Sequence, residues 1–487
     1  MDEKTIWEKA DVYLASKFVR EIPPYAFTFP DVFIIDRYSE KDSRSQITNL
    51  KTKLARDVFI NIPIISANME DVTGDRLAIA LAREGGCGFV PQSLSIDRRA
   101  EIIKRVKRAE SDVIESPITI NPENTLSDAK KLAVKEQISS LLVIDKDNKL
   151  VGILTSRDMA IEEDGNKKIE ELMTKSVITA NPGISSQDAK KILRANKIEK
   201  LPLVDKDGAL KGLMTLKDIL KTRSYAVRDK RGRLMVGGTI GVAGGEEKLL
   251  EEARLQINAG ADVVLIDTAR GNACLTRRIV EAINKSFPKI PLIAGNVDNP
   301  EGALGLIKAG ADAVKVGIGP GSACKTREET GVGCPQLSAI MECVAVAREH
   351  DIPIIADGGM KIDAALCKAL AGGAHSLMLG GRLARMEESA APEYGEDGKI
   401  YKLFRGSASI EAQMSRIEQG SLDRVRPSEG VRNRVERGGK LSDTIQWMMG
   451  HLRSSITYSG TESLQDYRQN AKLRWQSRAG YEEGKPD

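Results

Sequence analysis

The sequence predicts an α/β protein, a (β/α)8 barrel interrupted by a separate, internally repeated unit. Three observations carry this. Apolar runs with no internal alternation recur between helical stretches, as strands buried on both faces of a parallel sheet require. The helical stretches close on Ala-Gly or Gly-Gly and lead straight into the next apolar run, at 259–262, 309–312 and 371–376. Between 113 and 228 the texture changes to two similar copies of one pattern, the mark of a folding unit used twice.

In chain order, residues 59–69 (FINIPIISANM) read as the first buried strand, 76–86 (RLAIALAREGG) as a helix closed by glycine, and 88–92 (GFVPQ) as the second strand. The repeated unit follows. One copy contains SDAKK, VIDKDNKLVGIL and TSRD, and the other SQDAKK, LVDKDGALKGLM and TLKD. Each copy therefore reads as a helix, a strand ending in an Asp-Lys-Asp turn, a second strand and a new helix. Beyond it the barrel texture resumes, with strands predicted at 233–240, 261–269, 289–297, 311–320, 352–359 and 374–381. A doubly wound open sheet has the same rhythm, but eight strand-helix units favour closure. The expected domains are 1–112 with 229–487 for the barrel and 113–228 for the insertion.

The bulk numbers narrow the function. At 487 residues the chain exceeds one ordinary domain. The net charge is +4 on 73 basic and 69 acidic residues, and aromatics are only 4%, so neither a polyanion partner nor base stacking on nucleic acid is expected. No apolar run is long enough to span a bilayer, and the charged N-terminus does not read as a signal peptide, so no membrane and a cytoplasmic place are expected. The six cysteines have no CxxC spacing and there are three histidines, so zinc is not expected.

In a barrel the active site lies at the C-terminal ends of the strands. Those ends carry Asn68 and Met69, Asp267, Gly295 and Asn296, the run Gly317 to Thr326, Asp357 with Gly358 and Gly359, and Gly380 with Gly381. Three glycine clusters at successive strand ends expose backbone N–H groups, the arrangement that cradles a phosphate. Neither GxxxxGK[ST] nor a strand-borne GxGxxG with a trailing acidic residue is present, so neither a P-loop nor a Rossmann site is indicated. Cys324 follows the first cluster in GPGSACKTREETGVGCPQ, a segment too polar for core. Lys325, Arg327 and nearby N–H groups would favour its thiolate, the nucleophilic form. A buried small hydrophobe is the alternative role for a lone cysteine.

The run GIGPGSACKTREETGVGCPQLSA, together with IISANM, IPIIADGG, SLMLGG and HLRSSITYSG, resembles the IMP dehydrogenase/GMP reductase family over nearly the whole chain. The resemblance implies that Cys324 adds to purine C2 to give a covalent thioimidate, assisted by Thr326. It implies a substrate, GMP or IMP, held by Ser66, Met69, Lys315, Ser322, Asp357, Gly359, Gly380, Gly381, Phe404, Gly406 and Ser407, with Asp357 on the ribose hydroxyls. The nicotinamide cofactor would face Asp267, Thr268, Ala269, Arg270, Asn296, Gly317 and Glu429. Carbonyls of Gly319, Gly321 and Cys324 would bind a monovalent cation, usually K+. One departure is Glu70, where the family usually has Asp; Asp71 is next to it.

Within the family, dehydrogenases activate water with an Arg-Tyr pair on a mobile flap. Here Arg424 is followed by Val425, and MSRIEQGSLDRVRPSEG leaves little room for a long flap. The resemblance therefore points to the reductase branch that carries an inserted module: NADPH-dependent conversion of GMP to IMP and ammonia, with Glu429 and Thr326 protonating the leaving group and Arg270 nominated for the cofactor 2′-phosphate. The alternative is NAD-dependent oxidation of IMP to XMP, with Arg424 or Arg426 acting on water without a tyrosine. A nucleotide sensor with a decayed barrel site is a third class, against which Cys324, Thr326 and Asp357 weigh. The repeated unit resembles a tandem pair of cystathionine-β-synthase (CBS) motifs, implying ATP or GTP bound with Asp158 and Asp218 on the ribose, or else a purely structural insertion. Tetramers or octamers are the assemblies the resemblance implies.

Overall fold

A computed structural model of the protein describes residues 1–17, 26–109, 113–114, 117–136, 138–216, 219, 225–418, 424–425 and 427–485. The expected apolar runs form a closed parallel barrel: β1 Ile64–Ser66, β2 Cys87–Phe89, β3 Val236–Ile240, β4 Val263–Asp267, β5 Leu292–Val297, β6 Ala313–Val316, β7 Ile354–Asp357 and β8 Ser376–Leu379. Strand order follows chain order, and β8 closes on β1 through Met378 opposite Ile65. The insertion separates β2 from β3 in sequence but not in space, since Gly88 lies opposite Val236.

The strands lack alternation because both faces are buried: Val263, Val264, Leu265 and Ile266 of β4 are all inaccessible, as are Leu292, Ile293 and Ala294 of β5. The recurring Ala-Gly signal is a left-handed turn. Gly260 ends helix Glu246–Ala259 at φ +108, and Gly310 and Gly373 repeat this at φ +102 and +108. The first predicted strand is two. Val58–Ile60 pairs antiparallel with Thr52–Ala55, whereas only Ile64–Ser66 enters the barrel. Pro63, which has no N–H for a ladder, stands between them.

Helix Gln336–Ala347 is buried along its whole length except at Glu342, because helix Glu3–Lys17 packs over it. Burial, and then the nearby Asp11 and Asp298 carboxylates, push the Glu342 carboxyl up to about 7. An acid whose pKa is higher folded than unfolded stabilises the fold below its unfolded pKa and loses that stabilisation as pH rises through the folded one. Stability should thus decline between about pH 4.5 and 7. Glu342→Gln should unfold at a higher temperature than wild type at pH 8, with the difference gone by about pH 4.5. Parallel melting curves across this range would refute the assignment.

A second compact unit comprises Glu110–Ser224 and Arg228–Arg233. Its two copies repeat in local detail. Helices Leu126–Lys135 and Ser186–Asn196 are capped by Thr125 and Ser185, which accept from Asp128 N and Asp188 N. Strands Ser140–Ile144 and Leu150–Thr155 are joined by a turn in which Asp145 Oδ1 accepts from the N–H groups of Asp147 and Lys149. Asp205 does the same for Asp207 and Ala209 between Lys200–Val204 and Leu210–Thr215. Each copy has its own apolar cluster, one around Leu141 and Leu154 and one around Leu201 and Met214. Among the described residues no helix is long and apolar enough to cross a membrane.

Candidate active site

Four adjacent strands, β4 to β7, deliver polar side chains to the C-terminal end of the barrel around one buried cation. Lys315, 2% exposed, sits with its Nζ 2.7 Å from Asp267 Oδ1, 2.6 Å from Asp357 Oδ2 and 2.5 Å from Asn296 Oδ1. Burial alone would lower the lysine's pKa, but the two carboxylates reverse this and hold it above its ordinary value, so it is a fixed ammonium. Asn296 Nδ2 donates to Asp357 Oδ2 at 2.9 Å and to Gly317 O at 2.8 Å, and Asn68 Nδ2 donates to Asp267 Oδ2 at 2.9 Å. Both carboxylates are thereby aimed and keep a face toward the cavity.

The glycine-rich loop follows β6. Gly317 has φ +146, and a Cβ there would lie 2.3 Å from Asp357 O, so only glycine lets this loop leave the strand beside β7. Gln336 ties the same strands together, donating to Val316 O at 3.0 Å and Asp357 O at 3.1 Å. A Cβ on Gly381 would meet Ser322 Oγ at 2.9 Å and the Phe404 ring at 3.1 Å. The Ser322 hydroxyl, the glycine loop after β8 and Phe404 therefore converge on one small space.

Cys324 is exposed, and its Sγ lies 3.2 Å from Thr326 Oγ1, which donates to Glu429 Oε2 at 2.7 Å. This row of three is held by backbone pairing. Lys325 N donates to Glu429 O at 2.7 Å, Val431 N to Ala323 O at 3.1 Å, and Asn433 Nδ2 to Ser322 O at 2.8 Å. Gly406 N in turn donates to Val431 O at 3.0 Å, adding the Phe404–Ser407 segment to the same layer. That segment is tied to the loop after β1 by Arg405, which makes a bidentate pair with Asp71 at 2.8 and 3.0 Å. Glu70 is 3.8 Å away, so Asp71 is the residue that makes this tie.

All the residues expected to contact substrate, cofactor or monovalent cation, except Ser66 and Arg270, line one cavity of about 880 Å³. Ser66 is fully buried, with its hydroxyl engaged by Thr73 Oγ1 at 2.7 Å. Arg270 is exposed outside the cavity, on a turn closed by its N–H to Thr268 Oγ1 and by Thr276 Oγ1 to its carbonyl. Arg327 does not face the thiol. Its guanidinium is spent on the carbonyls of Ile318 and Cys334. Arg424 is exposed and off the cavity wall, and Arg426 lies outside the described residues. Gly321 O accepts from Cys324 N at 3.1 Å. In the second unit Asp158 Oδ2 accepts from Thr155 N and Oγ1, forming a helix cap, while Asp218 lies outside the described residues. Gln336 and Asn433 escaped the sequence reading because each acts on backbone carbonyls, which no short pattern announces.

The family description "IMP dehydrogenase / GMP reductase domain" matches residues 26–487. The chain is 45% identical over 466 residues to the inosine-5′-monophosphate dehydrogenase of Aquifex aeolicus, covering 94% of each chain. It is 43% identical to that of Nitrosopumilus maritimus, covering 94% of this chain and 97% of the relative. Among solved structures, a single-residue variant of the GMP reductase of Trypanosoma brucei in complex with guanosine 5′-monophosphate superposes with a TM-score of 0.81 at 35% identity, covering 95% and 98% of the two chains.

Proposed function

The chain belongs to the IMP dehydrogenase/GMP reductase family, and on that premise we propose that it oxidises IMP to XMP with NAD. The reductase reading of the sequence is corrected by the relatives: the curated chains of higher identity are dehydrogenases, and the reductase of known structure is less similar. The argument from the missing tyrosine fails for a physical reason. A base already stands beside the nucleophile, since Thr326 connects Cys324 to the Glu429 carboxylate. The observation that carries the reading is the higher identity to dehydrogenases over nearly the whole chain, and the row of three supplies the group that serves water.

The residues present suit a dinucleotide beside a mononucleotide. The cavity is near the top of the range of about 300–1,000 Å³ usual for ligand sites. Its wall beyond Cys324 offers the Asp267 carboxylate, held by Lys315 and Asn68, as an acceptor for ribose hydroxyls. Arg270 lies outside the cavity, so it is not the contact for a 2′-phosphate, and NAD follows from the dehydrogenase reading. When bound, NAD supplies the acceptor for the hydride of purine C2.

The protein's own groups do the rest. Ser322 and the N–H groups around Gly359, Gly380 and Gly381 hold the 5′-phosphate, and Asp357 accepts from the ribose hydroxyls. Cys324 Sγ adds to C2, and loss of the C2 hydride leaves a thioimidate on Sγ. Water then attacks C2. Its proton passes through Thr326 Oγ1 to Glu429, and the C2–S bond breaks to release XMP and the thiolate. Carbonyls of Gly319, Gly321 and Cys324, with no carboxylate among them, suit a monovalent cation such as K+, which would fix the shape of the Cys324 loop.

Glu429→Gln should lower steady-state turnover by about 10²–10⁴-fold, the usual share of a general base. Its first turnover should survive, seen as a burst of NADH in stopped-flow absorbance followed by a stalled enzyme. Loss of the burst would mean that Glu429 acts before hydride transfer.

For the second unit we propose a tandem CBS module that binds ATP or GTP, with Asp158 and Asp218 as the ribose acceptors, in an assembly of four or eight chains. Asp158→Ala should abolish any effect of these nucleotides on the barrel's turnover. An unchanged response would move the ligand elsewhere.

A further inference from the structure

We propose that the active-site cavity continues past the seat of the 5′-phosphate into a cationic extension that takes further phosphate groups, so that a purine nucleoside di- or triphosphate competes there with the mononucleotide. This rests on the phosphate seat assigned above. The two glycine loops that form the seat run directly into cations: Gly358–Gly359 is followed by Lys361, and Gly380–Gly381 by Arg382 and, one turn on, Arg385. All three line the same cavity as Cys324.

Two of the three are not neutralised locally. Lys361 and Arg385 are exposed, and neither forms an ion pair among the described residues. Arg382 is held from one side by Asp363, Nη2 to Oδ1 at 2.5 Å, and Asp363 is shared with His451 at 2.5 Å. The other terminal nitrogen of Arg382, Nη1, is buried without an acceptor. A buried guanidinium nitrogen normally has one, and an anion in this part of the cavity would supply it. Arg434, on the same wall, is not available in this way, because it pairs with Glu396 at 2.5 Å and lies over the Tyr401 ring at 3.7 Å. One phosphate monoester is already served by Ser322 and the glycine N–H groups, so the excess positive charge next to it matches a second and third phosphate on the same chain of atoms.

Trp447, 70% exposed on the wall of this cavity, provides the readout. The chain has three tryptophans, so Trp7→Phe with Trp475→Phe leaves Trp447 alone as reporter. Titration with IMP, inosine 5′-diphosphate and inorganic pyrophosphate, and inhibition kinetics against IMP, test the idea in the full-length enzyme. The diphosphate should compete with IMP and change Trp447 emission. Lys361→Ala with Arg385→Ala should weaken the diphosphate by about tenfold or more while the KM for IMP stays within about twofold. Inhibition that is not competitive with IMP, or that the double variant leaves unchanged, overturns the extension while IMP turnover stands. Pyrophosphate binding as tightly as the diphosphate without excluding IMP overturns it too, in favour of a separate anion site. If wild type neither binds nor turns over IMP, the phosphate seat itself is wrong and the extension falls with it.

Discussion

Cys324→Ala is expected to abolish turnover, by about 10⁴-fold or more, while IMP still binds with an affinity within a few-fold of wild type. The loss is large because the sulfur makes the bond on which every later step depends. Thr326 and Glu429 have no electrophile to serve without it. Binding should survive because the proposed phosphate and ribose contacts lie on other parts of the cavity wall, Ser322, the glycine loops after β7 and β8, and Asp357. The check is a pair of measurements, steady-state rate and calorimetric affinity for IMP. Activity within about tenfold of wild type would remove Cys324 from the chemistry.

Lys315→Met is expected to lower stability by about 3–5 kcal/mol, because it strands two carboxylates around a position with almost no access to water. Asp267 and Asp357 both lean on this ammonium, at 2.7 and 2.6 Å, and Asn296 takes its orientation from the same centre. The replacement keeps the length of the side chain, so the effect reports charge rather than volume. Denaturant unfolding of the two proteins measures it, and kcat/KM should fall as well, since the two carboxylates proposed to hold ribose hydroxyls lose their aim. Equal stability would mean that water or relaxation compensates the pair and that the lysine is not the hub of the site.

The barrel was legible because its strands are buried on both faces and therefore read as continuous apolar runs, several of them entered from a left-handed glycine turn, as at Gly260, Gly310 and Gly373. Pro63 was visible, yet its effect on the run 59–69 was not, because periodicity is blind to which stretch closes the barrel. The Cys324 loop was legible from its specific run of residues. What misled was reasoning from nearness in sequence. Arg270 follows Asp267 by three positions, but the chain turns on Thr268 and carries its side chain out of the cavity. Arg327 follows Cys324 by the same number and is consumed by two carbonyls. The pairing of Thr326 with Glu429 was legible only through the family resemblance, because it spans 103 positions of chain and is set by backbone bonds between the two segments.

The most direct test is absorbance at 340 nm with purified enzyme and K+, run once with IMP and NAD and once with GMP and NADPH. The account predicts rising absorbance and XMP in the first mixture alone, and none of either from Cys324→Ala. Falling absorbance with IMP as product in the second mixture, and no change in the first, would contradict it and return Thr326 and Glu429 to the expulsion of ammonia.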